Sequence, residues 1–187
     1  MEGRVGDARR EYEAALQGTL AGRAALYVGI ARLAQVEGDS PGAIDAFTRA
    51  SRLQPNDANI HKELALALAP QGRTDEALCE AIAALLIDPH DAQAHAIIGQ
   101  IYLDNGRPAD ALSALNRALT LQPDRYETHY ALATALTRLG RTSDADHEFQ
   151  LFERGRVDAL ERRRRQIEHD VDQEEAARRA HPAENAR

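Results

Sequence analysis

Apolar residues recur along the chain at intervals of three and four positions, which is the spacing of one face of an α-helix. Two such stripes follow each other within residues 24–57, and their members are Tyr27, Ile30, Ala31 and Ala34, then Ala43, Ile44, Phe47, Ala50 and Leu53. Gly38 separates the two stripes and Pro55 ends the second. Ser40 is expected to cap the second helix, with Pro41 in its first turn. The pattern predicts a helix, a tight turn and a second helix.

This two-helix unit returns at a fixed interval of 34 residues. The periodic positions are Gly38, Gly72, Gly106 and Gly140; Ala43, Ala77, Ala111 and Ala145; Pro55, Pro89 and Pro123; and His61, His95 and His129. A period without insertions indicates one structural unit copied in tandem, with a core buried between neighbours. The predicted units are 24–57, 58–91, 92–125 and 126–156, preceded by a half-repeat or capping helix in 1–23 and followed by an extended helix and frayed tail in 157–187.

These positions resemble the tetratricopeptide repeat (TPR) family over about residues 24–152. The resemblance implies an all-α fold, a right-handed α-solenoid of antiparallel helix pairs, in which the first helices line a concave groove. His61, His95 and His129 depart from the pattern, because the family usually has tryptophan there. The fourth unit also lacks the terminal proline.

Given that fold, helical phase places one set of side chains on the exposed side of the first helices. The set is Val28, Arg32, Gln35, Asn59, Lys62, Leu66, Gln93, Ala96, Gln100, Leu103, Tyr130, Thr134 and Arg138. Amides can bond the backbone of an extended peptide. Arg32, Lys62 and Arg138 suit acidic side chains or a terminal carboxylate, and Tyr130 could anchor an apolar residue.

The function implied is a non-catalytic scaffold that binds a peptide or helix of a partner protein in the groove. Some TPR proteins hold a chaperone's C-terminal carboxylate with a fixed set of Lys, Asn and Arg side chains. That set is absent here, since Glu63, Gln93 and Ile97 stand where Asn, Lys and Arg are required. Two alternatives remain, namely a structural protein that self-assembles through its terminal helices and the docking part of a larger enzyme.

The C-terminal region continues the helical pattern well past the fourth unit. Val157, Leu160, Ile167 and Val171 form a thin heptad-like seam, interrupted by Arg164, and are the candidate assembly seam. Residues 6–17 resemble a second helix without its partner, so a head-to-tail contact between copies is one possibility. The other is that the long helix covers its own fourth unit.

Composition narrows the choice of partner. The net charge is −7, and the four arginines at 162–165 are flanked by acids, so a nucleic-acid partner is not expected. No apolar run has the roughly 18 residues of a membrane span, and no signal-peptide core precedes the repeats. We therefore expect a protein of bacterial type that acts in the cytoplasm, does not insert in membranes, and binds another protein or itself.

No constellation of residues predicts catalysis, a cofactor or a metal site. The three periodic histidines fall one per unit, roughly 10 Å apart for packed helices, whereas zinc ligands converge at about 2 Å. They are expected to pack between helices. Cys79 adjoins Glu80, which disfavours a reactive thiolate, and no phosphate-binding loop or nucleophile elbow occurs.

Overall fold

The computed structural model describes residues 20–180, with side chains for 21–173. This part of the chain forms eight α-helices: α1 Leu20–Glu37, α2 Ser40–Leu53, α3 Ala58–Leu68, α4 Thr74–Ile87, α5 Ala92–Asp104, α6 Pro108–Leu121, α7 Tyr126–Arg138 and α8 Thr142–Ala180, with a 3₁₀ turn at Ala69–Gln71 between α3 and α4. No strand occurs within residues 20–180, and the predicted all-α fold is confirmed. The predicted helix at 6–17 lies outside the described residues.

The turn inside each helix pair depends on its periodic glycine. Gly38, Gly72, Gly106 and Gly140 adopt φ values between 69° and 78°, a left-handed conformation that glycine enters without steric cost. The chain thereby reverses direction within two or three residues. The cap of α2 is Asp39 rather than the predicted Ser40, because the Asp39 carboxylate accepts a 3.0 Å hydrogen bond from the backbone N–H of Gly42.

The helices pair as α1 with α2, α3 with α4, α5 with α6 and α7 with α8, and each second helix also packs on the first helix of the next pair. The first helices α3, α5 and α7 touch their neighbours along the stack, whereas the second helices make no comparable contact with one another. The side formed by first helices is therefore the crowded inner surface of the solenoid, and the second helices form the outer surface.

Alanine allows the close crossings within this stack. Six alanines at two positions of the second helices are almost completely buried: Ala43, Ala77, Ala111, Ala50, Ala84 and Ala118. The first three stand near the start of each second helix, and the others follow seven positions later. A larger side chain at such a crossing overpacks it.

The periodic histidines contact the turn that precedes their helix pair. His61 Nδ1 lies 2.6 Å from Glu80 Oε2, and its Nε2 lies 3.0 Å from the carbonyl oxygen of Pro55. His129 repeats both contacts, with Glu148 and with the carbonyl of the preceding proline. His95 keeps the contact with the proline carbonyl, at 3.3 Å from Pro89, but has Ala114 where the other two have a glutamate. His61 and His129 thus occupy a structural position between helices.

Candidate functional site

The inner surface carries a hollow at its centre, which we call the central hollow. It is bordered by three successive first helices and by no residue of a second helix; the lining is Leu66, Gln93, Ala96, Ile97, Gln100, Arg125, Glu127, Thr128 and Ala131. Its volume is about 280 Å³. Because three repeats contribute, the hollow exists only in the stacked array.

The central hollow has an apolar wall. Ile97 and Ala131 are buried beneath it, and Leu66 projects beside them with 41% of its surface exposed. A single exposed leucine on a protein surface is ordinary. Here it adjoins a concave apolar floor, which is the usual character of a site that takes up an aliphatic side chain.

Arg125 supplies the cation of the central hollow, whose other polar lining residues are Gln93, Gln100, Glu127 and Thr128. It stands directly before α7 and its Nε atom is buried without a hydrogen-bond partner in the described part of the protein. No carboxylate among residues 21–173 forms an ion pair with it. Buried polar groups are nearly always hydrogen-bonded. The N–H group of Arg125 Nε therefore has a hydrogen-bonding position that an acceptor from outside the chain can fill.

A second hollow of about 340 Å³ lies nearer the N-terminal end of the inner surface, between α1 and α3. Its lining consists of Ala25, Val28, Arg32, Gln54, Asp57, Asn59, Ile60 and Glu63. Arg32 Nη2 lies 3.3 Å from Glu63 Oε1 inside it. The local charges are therefore already matched, and this hollow offers no unpaired cation.

The three cations predicted for the groove are all engaged within the chain. Lys62 is only 8% exposed, and its Nζ lies 2.5 Å from Asp91 Oδ2 and 3.2 Å from Gln93 Oε1. Arg138 donates to the carbonyl oxygen of Leu103. Together with the Arg32 pair, these contacts join neighbouring first helices, so the predicted cations hold the stack together.

The contacts of Asp91, the partner of Lys62, shift the pKa of its carboxyl group. It caps α5, accepting hydrogen bonds of 2.8 and 3.0 Å from two backbone N–H groups of that helix. Burial alone raises the pKa of this carboxyl, but the hydrogen bond and charge of Lys62, with the two backbone bonds, outweigh it. The pKa of Asp91 therefore lies below its ordinary value, and this carboxylate remains ionised at neutral pH.

Tyr130 is half-exposed but belongs to an aromatic cluster at the end of the fourth pair. Its ring centroid lies 5.9 Å from that of Phe149 and 5.2 Å from that of Phe152. Tyr126 adds a third contact, at 6.0 Å from Phe152. One side of the Tyr130 ring is thus occupied by α8, and only the other side faces solvent.

The remaining predicted groove residues divide by exposure. The amides Gln35, Asn59, Gln93 and Gln100 are exposed, and Thr134 is half-buried. Leu103 does not line the surface, since it is 2% exposed and lies in the core. Sequence reasoning missed Arg125 because it lies in the turn before α7, where helical phase gives no prediction.

The described residues show no arrangement for metal or thiol chemistry. No group of three or more His, Cys, Asp and Glu side chains within residues 21–173 is placed to hold a metal ion. Cys79 lies exposed on α4. No helix in the described part of the chain combines the length and apolar character needed to cross a bilayer.

Comparison with known proteins shows which family the chain belongs to and which structures share its fold. The family model described as tetratricopeptide repeat matches residues 28–96 and 98–149. The crystal structure of MamA superimposes with a TM-score of 0.74 at 16% identity, covering 86% of this chain and 93% of that one. YrrB, described as a TPR protein with an unusual peptide-binding site, gives 0.66 at 18% identity over 84% of this chain and 81% of its own.

The first TPR of Spaghetti (RPAP3), solved with the HSP90 peptide SRMEEVD, gives a TM-score of 0.59 at 18% identity. The match covers 63% of this chain and 93% of that one. At these identities the three structures show the fold alone. No curated protein sequence matches the chain significantly.

Proposed function

Because the chain belongs to the tetratricopeptide repeat family, we propose that it is a non-catalytic interaction module that binds an extended segment of a partner protein along its inner surface. The central hollow is the main contact. The partner segment carries an aspartate or glutamate next to an aliphatic residue. The acid pairs with Arg125, and the aliphatic side chain packs against Leu66.

The observation that carries this proposal is the unpartnered guanidinium of Arg125 beside an exposed leucine. Arg32, Lys62 and Arg138 already have partners inside the chain. Arg23 and Arg125 each have a buried Nε without a partner, and of these two Arg125 lines the central hollow. A charge-assisted hydrogen bond in a partly dehydrated hollow is stronger than one between neutral groups.

Two further features support an extended peptide as the ligand. Gln93 and Gln100 border the central hollow with exposed amide groups, and such groups can pair with the N–H and C=O groups of a peptide backbone. YrrB and Spaghetti are both described with a peptide or a peptide-binding site. A solenoid held by inter-repeat ion pairs is also pre-organised, which lowers the ordering cost of binding.

The test is selection from a phage library of random-sequence dodecapeptides displayed against the full chain. We expect the selected peptides to be enriched in an acidic residue adjacent to Leu, Ile or Val. Arg125→Ala and Leu66→Glu should each weaken the selected peptides by at least about tenfold, as expected for loss of a charged hydrogen bond or an apolar anchor.

Leu86→Glu is the matched control, because Leu86 is 80% exposed on the outward-facing helix α4. It should leave binding unchanged. Failure to select any peptide would refute the proposed function. Selected peptides that bind equally well to the Arg125→Ala and Leu66→Glu variants would refute the assignment to the central hollow.

A further inference from the structure

The helix α8 extends far beyond the body of the solenoid. Among the described helices it packs substantially against α7 alone, through its N-terminal part. From Val157 to Ala180 it continues as a single helix, and residues 160–173 are all exposed. At 1.5 Å per residue this projection is about 36 Å long.

The projecting part carries an apolar face that nothing in the described structure covers. Val157, Leu160, Ile167 and Val171 are between 48% and 60% exposed. In a heptad they occupy positions a, d, d and a, with Arg164 at the remaining a position. A helix with such a stripe is normally packed against another surface.

The seam lies beyond the end of α7. Gly155 lies against Tyr126, the first residue of α7, so the residues of α8 from Leu160 onward extend past that helix. At 100° per residue, Leu160 lies within about 20° of Phe149, which packs on Tyr130 of α7. The seam thus continues the apolar face of α8 that contacts the solenoid, and a second helix can approach it where α8 has left the solenoid.

The charges beside the seam favour an identical helix in parallel orientation. Arg163 occupies position g and has only Ala, Leu, Gln and Ile at three and four positions on either side, so it has no acid to pair with in its own helix. In a parallel pair, a g residue faces the e residue of the next heptad on the partner. That residue is Glu168. Arg156 stands opposite Glu161 by the same rule, but it already pairs with Glu153 of its own helix at 2.7 Å, so Arg163 carries the argument.

The antiparallel alternative is less favourable. It sets e positions against e positions, and both e residues within the seam are glutamates, Glu161 and Glu168. In the parallel pair Arg164 faces Arg164 of the other copy. Its Nε lies 2.8 Å from Glu168 Oε1, which holds the charged group towards the edge of the seam.

The end of the fourth pair differs from the crossings inside the stack. Ala50, Ala84 and Ala118 are completely buried in the second helices of the first three pairs. Phe152 stands at the equivalent position of α8, where its ring contacts Tyr126 and Tyr130 of α7. The fourth pair therefore ends in an aromatic cluster rather than in an alanine crossing.

We propose that a second copy of this chain pairs with the first through residues 156–171 of α8, as a parallel two-stranded coiled coil. The resulting symmetric dimer differs from a head-to-tail assembly, and it goes beyond the groove function because it uses no residue of the inner surface. Since the seam is about two heptads long, we expect a weak, concentration-dependent dimer.

The first test is the mass of the full chain by light scattering at about 10 and about 300 µM protein. The mass should rise from the monomer value of 20.5 kDa towards twice that value. Leu160→Lys with Ile167→Lys should hold the chain at 20.5 kDa at both concentrations. Both side chains are exposed, so circular dichroism should show unchanged helix content and melting of the repeats.

A mass that stays at 20.5 kDa in the unaltered chain overturns the proposal, as does a dimer that survives the double substitution. Charge reversal then tests orientation. Glu168→Arg should weaken the dimer at least about fivefold by facing Arg163 of the other copy, and adding Arg163→Glu should restore it.

The direction of this effect separates the two orientations. In an antiparallel pair, Glu168→Arg would relieve the repulsion between glutamates and strengthen the dimer, which would overturn the parallel assignment. Arg162→Glu is the control for charge alone, because position 162 lies at f, on the side opposite the seam. It should leave the dissociation constant of the dimer unchanged.

Discussion

Lys62 illustrates how a single side chain links two repeats. The ion pair with Asp91 is almost completely shielded from solvent, whereas the Arg32–Glu63 pair is largely exposed. Lys62→Ala removes a charged hydrogen bond and leaves a partly buried carboxylate, so we expect the free energy of unfolding to fall by about 1–3 kcal/mol. Arg32→Ala should cost less than about 1 kcal/mol. Urea unfolding of both variants tests the contrast, and equal losses would contradict it.

Asp91 makes part of this stability depend on pH. Its pKa is lowered in the folded protein, so its contribution is complete above the unfolded value of about 3.9 and is lost as the pH falls through the folded value. Asp91→Asn keeps a side chain that can cap α5 but removes the charge. The unaltered protein should therefore be more stable than this variant at pH 7, and the difference should shrink below about pH 4. A constant difference in urea midpoints between pH 7 and pH 3 would contradict this.

Sequence patterns predicted the turn glycines but not the partners of the charged residues. Helical phase assigns a residue to a face, whereas its neighbour comes from the next repeat. The Arg32–Glu63 and Lys62–Gln93 contacts each join residues 31 positions apart. That shared separation is the sequence signal that could have shown Arg32 and Lys62 to be engaged.

At the scale of elements, Gly155 fixes how α8 lies on α7. A Cβ atom at this position would lie 2.6 Å from Tyr126 Cβ, a distance that requires the helices to separate. Alanine normally stabilises a helix interior by about 1 kcal/mol relative to glycine. We nevertheless expect Gly155→Ala to destabilise the fourth pair and to speed amide hydrogen exchange in α7.

The control for this prediction is Asp158→Ala, on the exposed side of the same helix. It should leave the exchange of α7 unchanged. Unchanged or slower exchange in the Gly155→Ala variant would show that α7 and α8 can separate at no cost.

Most element boundaries follow from the sequence because proline, glycine and capping residues mark them. The exception at α2 is instructive, since Asp39 and Ser40 are both good capping residues and only the observed backbone shows that Asp39 accepts the hydrogen bond. The length of α8 was predictable from its uninterrupted pattern. The contact of Gly155 with Tyr126 was not, because in sequence this glycine looks like a weak point in the helix.

At the scale of the whole molecule, stability is distributed through neighbouring contacts. A helix pair in the middle of a stack is supported on both sides, while a terminal element is supported on one. We expect amide hydrogen exchange to be slowest in α3 to α6, faster in α1, and fastest in the projecting part of α8. Mass spectrometry of exchanged peptides measures this directly, and uniform protection along the chain would contradict it.

The period of the sequence determines the architecture, and therefore the inner and outer surfaces, before any contact is known. It does not determine the central hollow. That feature depends on Leu66, Ile97 and Arg125, which come from two neighbouring repeats and are not periodic equivalents. Sequence periodicity cannot predict a candidate site whose residues differ from one repeat to the next.

The length of α8 has a consequence for how such an array can change length. A duplicated unit inserted between the second and third pairs would find alanine crossings on both sides. A unit added after α8 would instead follow a helix of 39 residues that leaves the stack after Gly155, and it would be held away from the stack. Gene duplication can therefore lengthen this solenoid from within, with α8 carried outward unchanged.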